Sequence, residues 1–95
     1  MTREQLEELF EKHDDEFLKF ELVADKRSNR SDLHAFLLLD RLVPGESDIV
    51  TAAEHDEIWL EVSLEELAKV ATEEHVIELT RCGVRLSDGY LAMFV

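Results

Sequence analysis

The sequence predicts a small α+β fold in which short helices pack on a small antiparallel sheet that ends in a β-hairpin. Residues 33–43 are almost entirely apolar, which is typical of a buried helix. Apolar residues recur with helical spacing near the N-terminus and with strand alternation over residues 57–62. The length of 95 residues favours a single domain, residues 1–95.

The N-terminal segment is predicted to be a helix. Thr2, followed three residues later by Gln5, has the pattern of a capping box. Apolar and weakly polar side chains then recur at spacings of three and four, which favours a helix to about Phe17. These are Leu6, Leu9, Phe10, His13 and Phe17. Residues 18–24 fit either a helix or a strand.

The second helix is predicted to form the core. Residues 25–31 are predicted to form a polar loop with a basic cluster. This loop is either a solvated connector or a binding patch for a phosphate or an acidic ligand. Residues 33–43 follow as a helix that is apolar on nearly all sides. Ser31 or Asp32 is expected to cap this helix, and Pro44 with Gly45 to end it. At this length it is too short to cross a bilayer, which needs about 20 apolar residues.

The middle of the chain is only partly predictable. Within residues 46–57, Ile49 and Val50 favour a short strand and residues 51–54 a helical turn. Residues 57–62 alternate as a strand, with Ile58, Leu60 and Val62 on one side and Glu57, Trp59 and Glu61 on the other.

Two short helices and a hairpin complete the chain. Ser63 and Thr72 are expected to cap the two helices, and Gly83 to end the second. Asp88-Gly89 between apolar segments predicts a hairpin with strands over residues 84–86 and 90–95.

The element order over residues 57–95 (strand, helix, short turn, helix, hairpin) resembles a winged helix-turn-helix. A DNA-reading member would carry basic or amide side chains where this chain has Glu73 and Glu74. The resemblance therefore implies a module that acts through protein contacts or dimerisation.

Charge is the strongest functional signal. Twenty-three acidic and ten basic residues give a formal net charge of −13. A field of this sign repels phosphate backbones and anionic lipid, so we expect no direct nucleic-acid or membrane binding. One segment holds seven acids and no lysine or arginine, and these seven are the predicted binding surface. They are Asp48, Glu54, Asp56, Glu57, Glu61, Glu65 and Glu66.

An acidic surface predicts a basic protein partner. The leading hypothesis is a small non-catalytic interaction or regulatory protein, of a size and charge that would suit a phage or mobile element. A further hypothesis is a DNA-mimicking inhibitor of a nucleic-acid-binding protein. Carboxylates also suit first helical turns and solvated strand faces, so a purely solubilising role is the alternative.

The C-terminal hairpin is apolar on both faces, which leaves one face to be covered. Leu91, Met93 and Val95 lie on one face, and Tyr90, Ala92 and Phe94 on the other. The N-terminal helix covers the second face, or a second copy of the chain does so in a homodimer. The predicted dimer interface is Trp59, Tyr90 and Phe94, because interfaces favour aromatic residues.

No motif in the sequence indicates catalysis, a cofactor or a metal. The four histidines are widely spaced, without a second ligand at metal-binding spacing. His75 and Cys82 fall on one helix face, but no third group completes a nucleophilic site, so we expect both to be structural. The single cysteine and the acidic first twenty residues predict a cytoplasmic protein without a signal peptide.

Overall fold

The computed structural model describes residues 1–94, and Val95, the predicted end of the last strand, lies outside the described residues. Its elements follow the predicted α+β class. In chain order they are α1 (Arg3–Lys12), α2 (Ser31–Leu42), β1 (Val50–Glu54), β2 (Glu57–Leu60), α3 (Leu64–Val70), α4 (Glu73–Arg81), β3 (Arg85–Ser87) and β4 (Tyr90–Phe94). Two 3-10 turns, Asp14–Glu16 and Phe20–Leu22, connect α1 to α2.

Helix α1 begins where the sequence predicts and ends earlier. The Thr2 hydroxyl accepts from the Gln5 backbone N–H, and the Gln5 side chain accepts from the Thr2 N–H, which completes the capping box. The helix stops at Lys12, so the expected continuation to Phe17 is wrong. Three consecutive acids, residues 14–16, follow at the negative end of the helix dipole, where carboxylates are unfavourable.

Helix α2 packs through one face only, which corrects the expectation of burial on nearly all sides. Ala35, Leu38 and Leu39 are buried, whereas Leu33 and Leu37 are 43% and 41% exposed. The other elements pack on one side of α2, and the opposite stripe stays in water. The expected Ser31 or Asp32 cap is also wrong, because Arg30 occupies the cap position and makes no side-chain cap bond.

Buried His34 joins α2 to α4. Its side chain is 2% exposed, although the sequence pattern placed it on the polar stripe of the helix. The His34 Nδ1 accepts from the Arg27 backbone N–H at 3.1 Å, so Nε2 carries the proton and donates to Glu78 Oε2 at 2.6 Å. Both ring nitrogens are therefore satisfied, which offsets the cost of burying a polar group.

Residues 51–54 form part of strand β1, so the expected helical turn is wrong. Strand β1 pairs antiparallel with β2, with Ala52 opposite Trp59 and Glu54 opposite Glu57. The two-residue turn His55-Asp56 joins them, and His55 has a left-handed φ of 57°. The tertiary pairing overrides the weak local propensity of a segment with two alanines. All five β1 residues are exposed.

The remaining elements follow the prediction closely. Ser63 and Thr72 cap α3 and α4 through their side chains. Gly83 follows α4 with a φ of 97°, a conformation that favours glycine. Asp88 and Gly89 both have positive φ, as a two-residue type I′ hairpin turn requires.

The sheet is antiparallel, with strand order β1-β2-β4-β3. The core lies on one face of this sheet. Leu60 and Leu91 are paired across β2 and β4, and both are fully buried. Helices α1, α3 and α4 contribute Leu6, Leu67 and Leu79 to the same cluster, each also fully buried.

Truncation of a core leucine tests the packing of α2. We expect Leu38→Ala to lower the free energy of unfolding by about 2–5 kcal/mol. Leu38 is only 1% exposed, so its truncation leaves a cavity in the core. The matched control is Leu37→Ala on the exposed side of the same helix, with an expected loss below about 1 kcal/mol. Urea unfolding measures both, and equal losses would contradict the one-sided packing of α2.

Candidate functional site

Within residues 1–94, no helix packs on one of the two faces of the sheet. Because side chains alternate along a strand, the pair Trp59 and Ala92 points away from the face on which Leu60 and Leu91 are buried. We call the uncovered side the outer sheet face. It consists of Ala52, Glu54, Glu57, Trp59, Glu61, Arg85, Ser87, Tyr90, Ala92 and Phe94, together with Asp88 in the turn at its edge.

The three residues predicted as a dimer interface lie together on this face. Trp59 is partly buried between its neighbours, and Tyr90 and Phe94 are 55% and 60% exposed. The expectation that the N-terminal helix covers this side of the hairpin is wrong. Its apolar side chains, including Leu6 and Phe10, are buried in the core instead.

The side chain of Arg85 lies across one end of the outer sheet face. The Arg85 guanidinium lies over the Phe94 ring, 4.1 Å from the ring centroid, and forms an ion pair with Glu57. The pair is partly buried, with 27% and 19% of the two side chains exposed. Glu57, which was predicted to face a basic partner, is thus neutralised within the chain.

A shallow cavity lies at the other end of the same face. Its volume is about 470 Å³, and the rings of Trp59 and Tyr90 contribute to its walls. Glu61 and Asp88 line the same cavity, and neither forms an ion pair among the described residues. The sequence pattern explained Asp88 as a turn residue, and its position in one cavity with Trp59 follows only from the pairing of β2 with β4.

The other predicted acids divide into two groups. Asp48, Glu54 and Asp56 are exposed at or next to the β1–β2 hairpin, with Glu54 3.6 Å from the His55 ring. Glu65 and Glu66, in the first turn of α3, are engaged within the chain by Arg3 at 2.7 Å and by Lys69 at 3.3 Å.

Hydrogen bonding to Arg3 lowers the pKa of Glu65 below its ordinary value. The seven acids therefore do not form one continuous free surface.

The groups considered for catalysis have structural roles. The His75 ring accepts from the Thr72 backbone N–H in the α4 cap, while Cys82 is buried in the core. Burial raises the pKa of the Cys82 thiol to about 12. Within residues 1–94, no three histidine, cysteine, aspartate or glutamate side chains are grouped as a metal site requires.

Comparison with protein-family models, curated proteins and solved structures finds no match to this chain. In the described part of the chain, the helices are too short or too polar to cross a bilayer.

The buried thiol gives a direct test of the placement of Cys82. With a pKa near 12, only about one thiol in ten thousand is ionised at pH 8, and the thiolate is the reactive form. We expect Ellman's reagent to modify the native chain at least about 100-fold more slowly than the urea-unfolded chain. Rapid stoichiometric reaction of the native protein would contradict this placement.

Proposed function

We propose that this chain is a non-catalytic docking protein whose outer sheet face binds a basic protein partner. The observation that carries the proposal is the arrangement of aromatic rings and carboxylates on one open face. Trp59 and Tyr90 provide the apolar contact, while Glu61 and Asp88 lie beside them. Interfaces commonly have this composition, with aromatic anchors in the centre and charged residues at the rim.

The charge around the aromatic residues favours a basic partner over a second copy of the chain. Glu54, Glu61 and Asp88 are all exposed and are acidic at the same face. A symmetric dimer through this face would bring each set of carboxylates close to its copy, which costs free energy at an interface. Lysine or arginine side chains of a different protein would gain from the same groups.

The basic residues that form no ion pair lie away from the carboxylates of the outer sheet face. Five of the ten take part in no ion pair among residues 1–94, and all five lie between residues 19 and 41, outside the outer sheet face. They are Lys19, Lys26, Arg27, Arg30 and Arg41. Arg85 on the face is paired with Glu57, and Arg3, which donates to the Gly89 carbonyl at 3.4 Å beside the hairpin turn, is paired with Glu7 and Glu65.

The contacts of the histidine side chains support a non-catalytic role. His13 contacts Glu73 at 2.6 Å, His34 contacts Glu78 at 2.6 Å, and His75 caps α4. The remaining histidine, His55, is 88% exposed in a hairpin turn. Among the described residues, the hydroxyl that contacts a histidine ring is that of Thr72, 3.2 Å from His75 Nδ1, and this hydroxyl also caps α4.

Neutralising the carboxylates of the outer sheet face tests the proposal. The partner is first captured from a cell lysate at low salt and purified, and its affinity is measured through the fluorescence of Trp59, the only tryptophan in the chain. We expect the triple variant E54Q/E61Q/D88N to bind at least about tenfold more weakly, because it removes three charges that face the partner. Binding should also weaken as salt is added.

The matched control removes three exposed carboxylates elsewhere. Glu4 and Glu8 lie on α1 and Asp40 on α2, all exposed and away from the outer sheet face. We expect E4Q/E8Q/D40N to bind within about twofold of the unmodified chain. Equal weakening by both triple variants would mean that net charge alone acts, and a captured protein that is acidic or indifferent to salt would overturn the proposal.

A module of winged-helix type that acts through protein contacts is the second candidate. It is favoured by the order β2, α3, α4 and hairpin, and by the pairing of β2 with β4. Glu73 and Glu74 begin α4, the helix that would have to enter a DNA groove. We expect duplex DNA at low salt to leave the amide NMR signals of residues 72–82 unchanged, and shifts there would restore a DNA-binding role.

A further inference from the structure

An open groove lies between α1 and strand β3. Its volume is about 500 Å³, and its surface is mainly apolar. The residues that line it include Glu7, Glu11, Asp14, Phe17, Leu86 and Phe94. Helix α1 contacts β3, and Phe17, which follows the end of α1 at Lys12, also lines the groove.

Aromatic side chains of the groove are incompletely covered by the chain itself. Phe17 is partly exposed, as is Leu86 on the opposite wall. Phe94 is 60% exposed and belongs both to the groove and to the outer sheet face. The apolar surface of the two regions is thus continuous through one phenylalanine, and covering it would be favourable.

The α1 side of the groove is negatively charged. Glu7, Glu11 and Asp14 recur at spacings of four and three, and all three line the groove. Glu7 is paired with Arg3 at 3.0 Å, whereas Glu11 and Asp14 are in no ion pair among residues 1–94. A ligand with apolar side chains on one side and basic side chains on the other would match both parts of the groove.

We propose that this groove binds a basic amphipathic segment of the partner protein, an inference that rests on the proposed function. Apolar side chains of the segment would pack on Phe17, Leu86 and Phe94. Its lysine or arginine side chains would contact Glu11 and Asp14, the two unpaired carboxylates of the α1 side. A second copy of the chain fits less well, because its own groove and outer sheet face carry the same negative charge.

Synthetic peptides test the groove without the native partner. The probe is a short peptide of alternating leucine and lysine, and one control replaces leucine with serine, the other lysine with glutamate. We expect the probe to shift the amide NMR signals of Glu11, Phe17 and Leu86, and neither control to do so. Binding of the serine peptide as tightly as the probe, or the absence of shifts at these residues, would overturn the inference.

A pair of surface variants separates this inference from the proposed function. Phe17→Ser removes a partly exposed side chain that lines the groove and is not part of the outer sheet face, and Leu37→Ser removes an exposed side chain of α2 as the control. We expect Phe17→Ser to weaken probe binding at least about fivefold and Leu37→Ser to leave it unchanged. If the probe instead shifts only Trp59 and Tyr90 signals, the groove inference fails while docking on the outer sheet face stands.

Discussion

The alternation of side chains along β2 and β4 constrains the rest of the structure. Leu60 and Leu91 meet the helices on one face, so Trp59 and its neighbours must lie on the other. The helices of residues 1–94 pack on the face that carries Leu60 and Leu91, and the hydrophobic core forms there. The outer sheet face is therefore a direct result of building a core with one layer of helices on one sheet.

Ion pairs within the chain neutralise part of the acidic segment, residues 48–66. A run of seven acids suggests one negative surface, yet the folded chain uses Glu57, Glu65 and Glu66 in contacts with Arg85, Arg3 and Lys69. What distinguishes the outer sheet face is therefore not the number of its carboxylates but their position beside exposed aromatic rings. Net charge alone would not separate this face from the rest of the surface.

The sequence was most informative where the determining contacts are local. Thr2, Ser63 and Thr72 cap helices through residues three positions away, and Asp88-Gly89 makes a turn through its own backbone preference. Strand β1 could not be predicted, because its conformation depends on pairing with β2. The exposed stripe of α2 was missed for a related reason, since hydrophobic pattern does not reveal which side of an apolar helix is packed. The groove beside β3 likewise depends on contacts between distant segments.

The separation of charge along the chain has a consequence for how a partner approaches. Unpaired bases are confined to residues 19–41, whereas seven acids and no lysine or arginine lie between residues 48 and 66. Folding fixes these segments relative to each other and gives the molecule a permanent electric dipole moment. The field of an approaching cationic protein exerts a torque on that dipole and biases the rotational diffusion of the encounter before any contact forms.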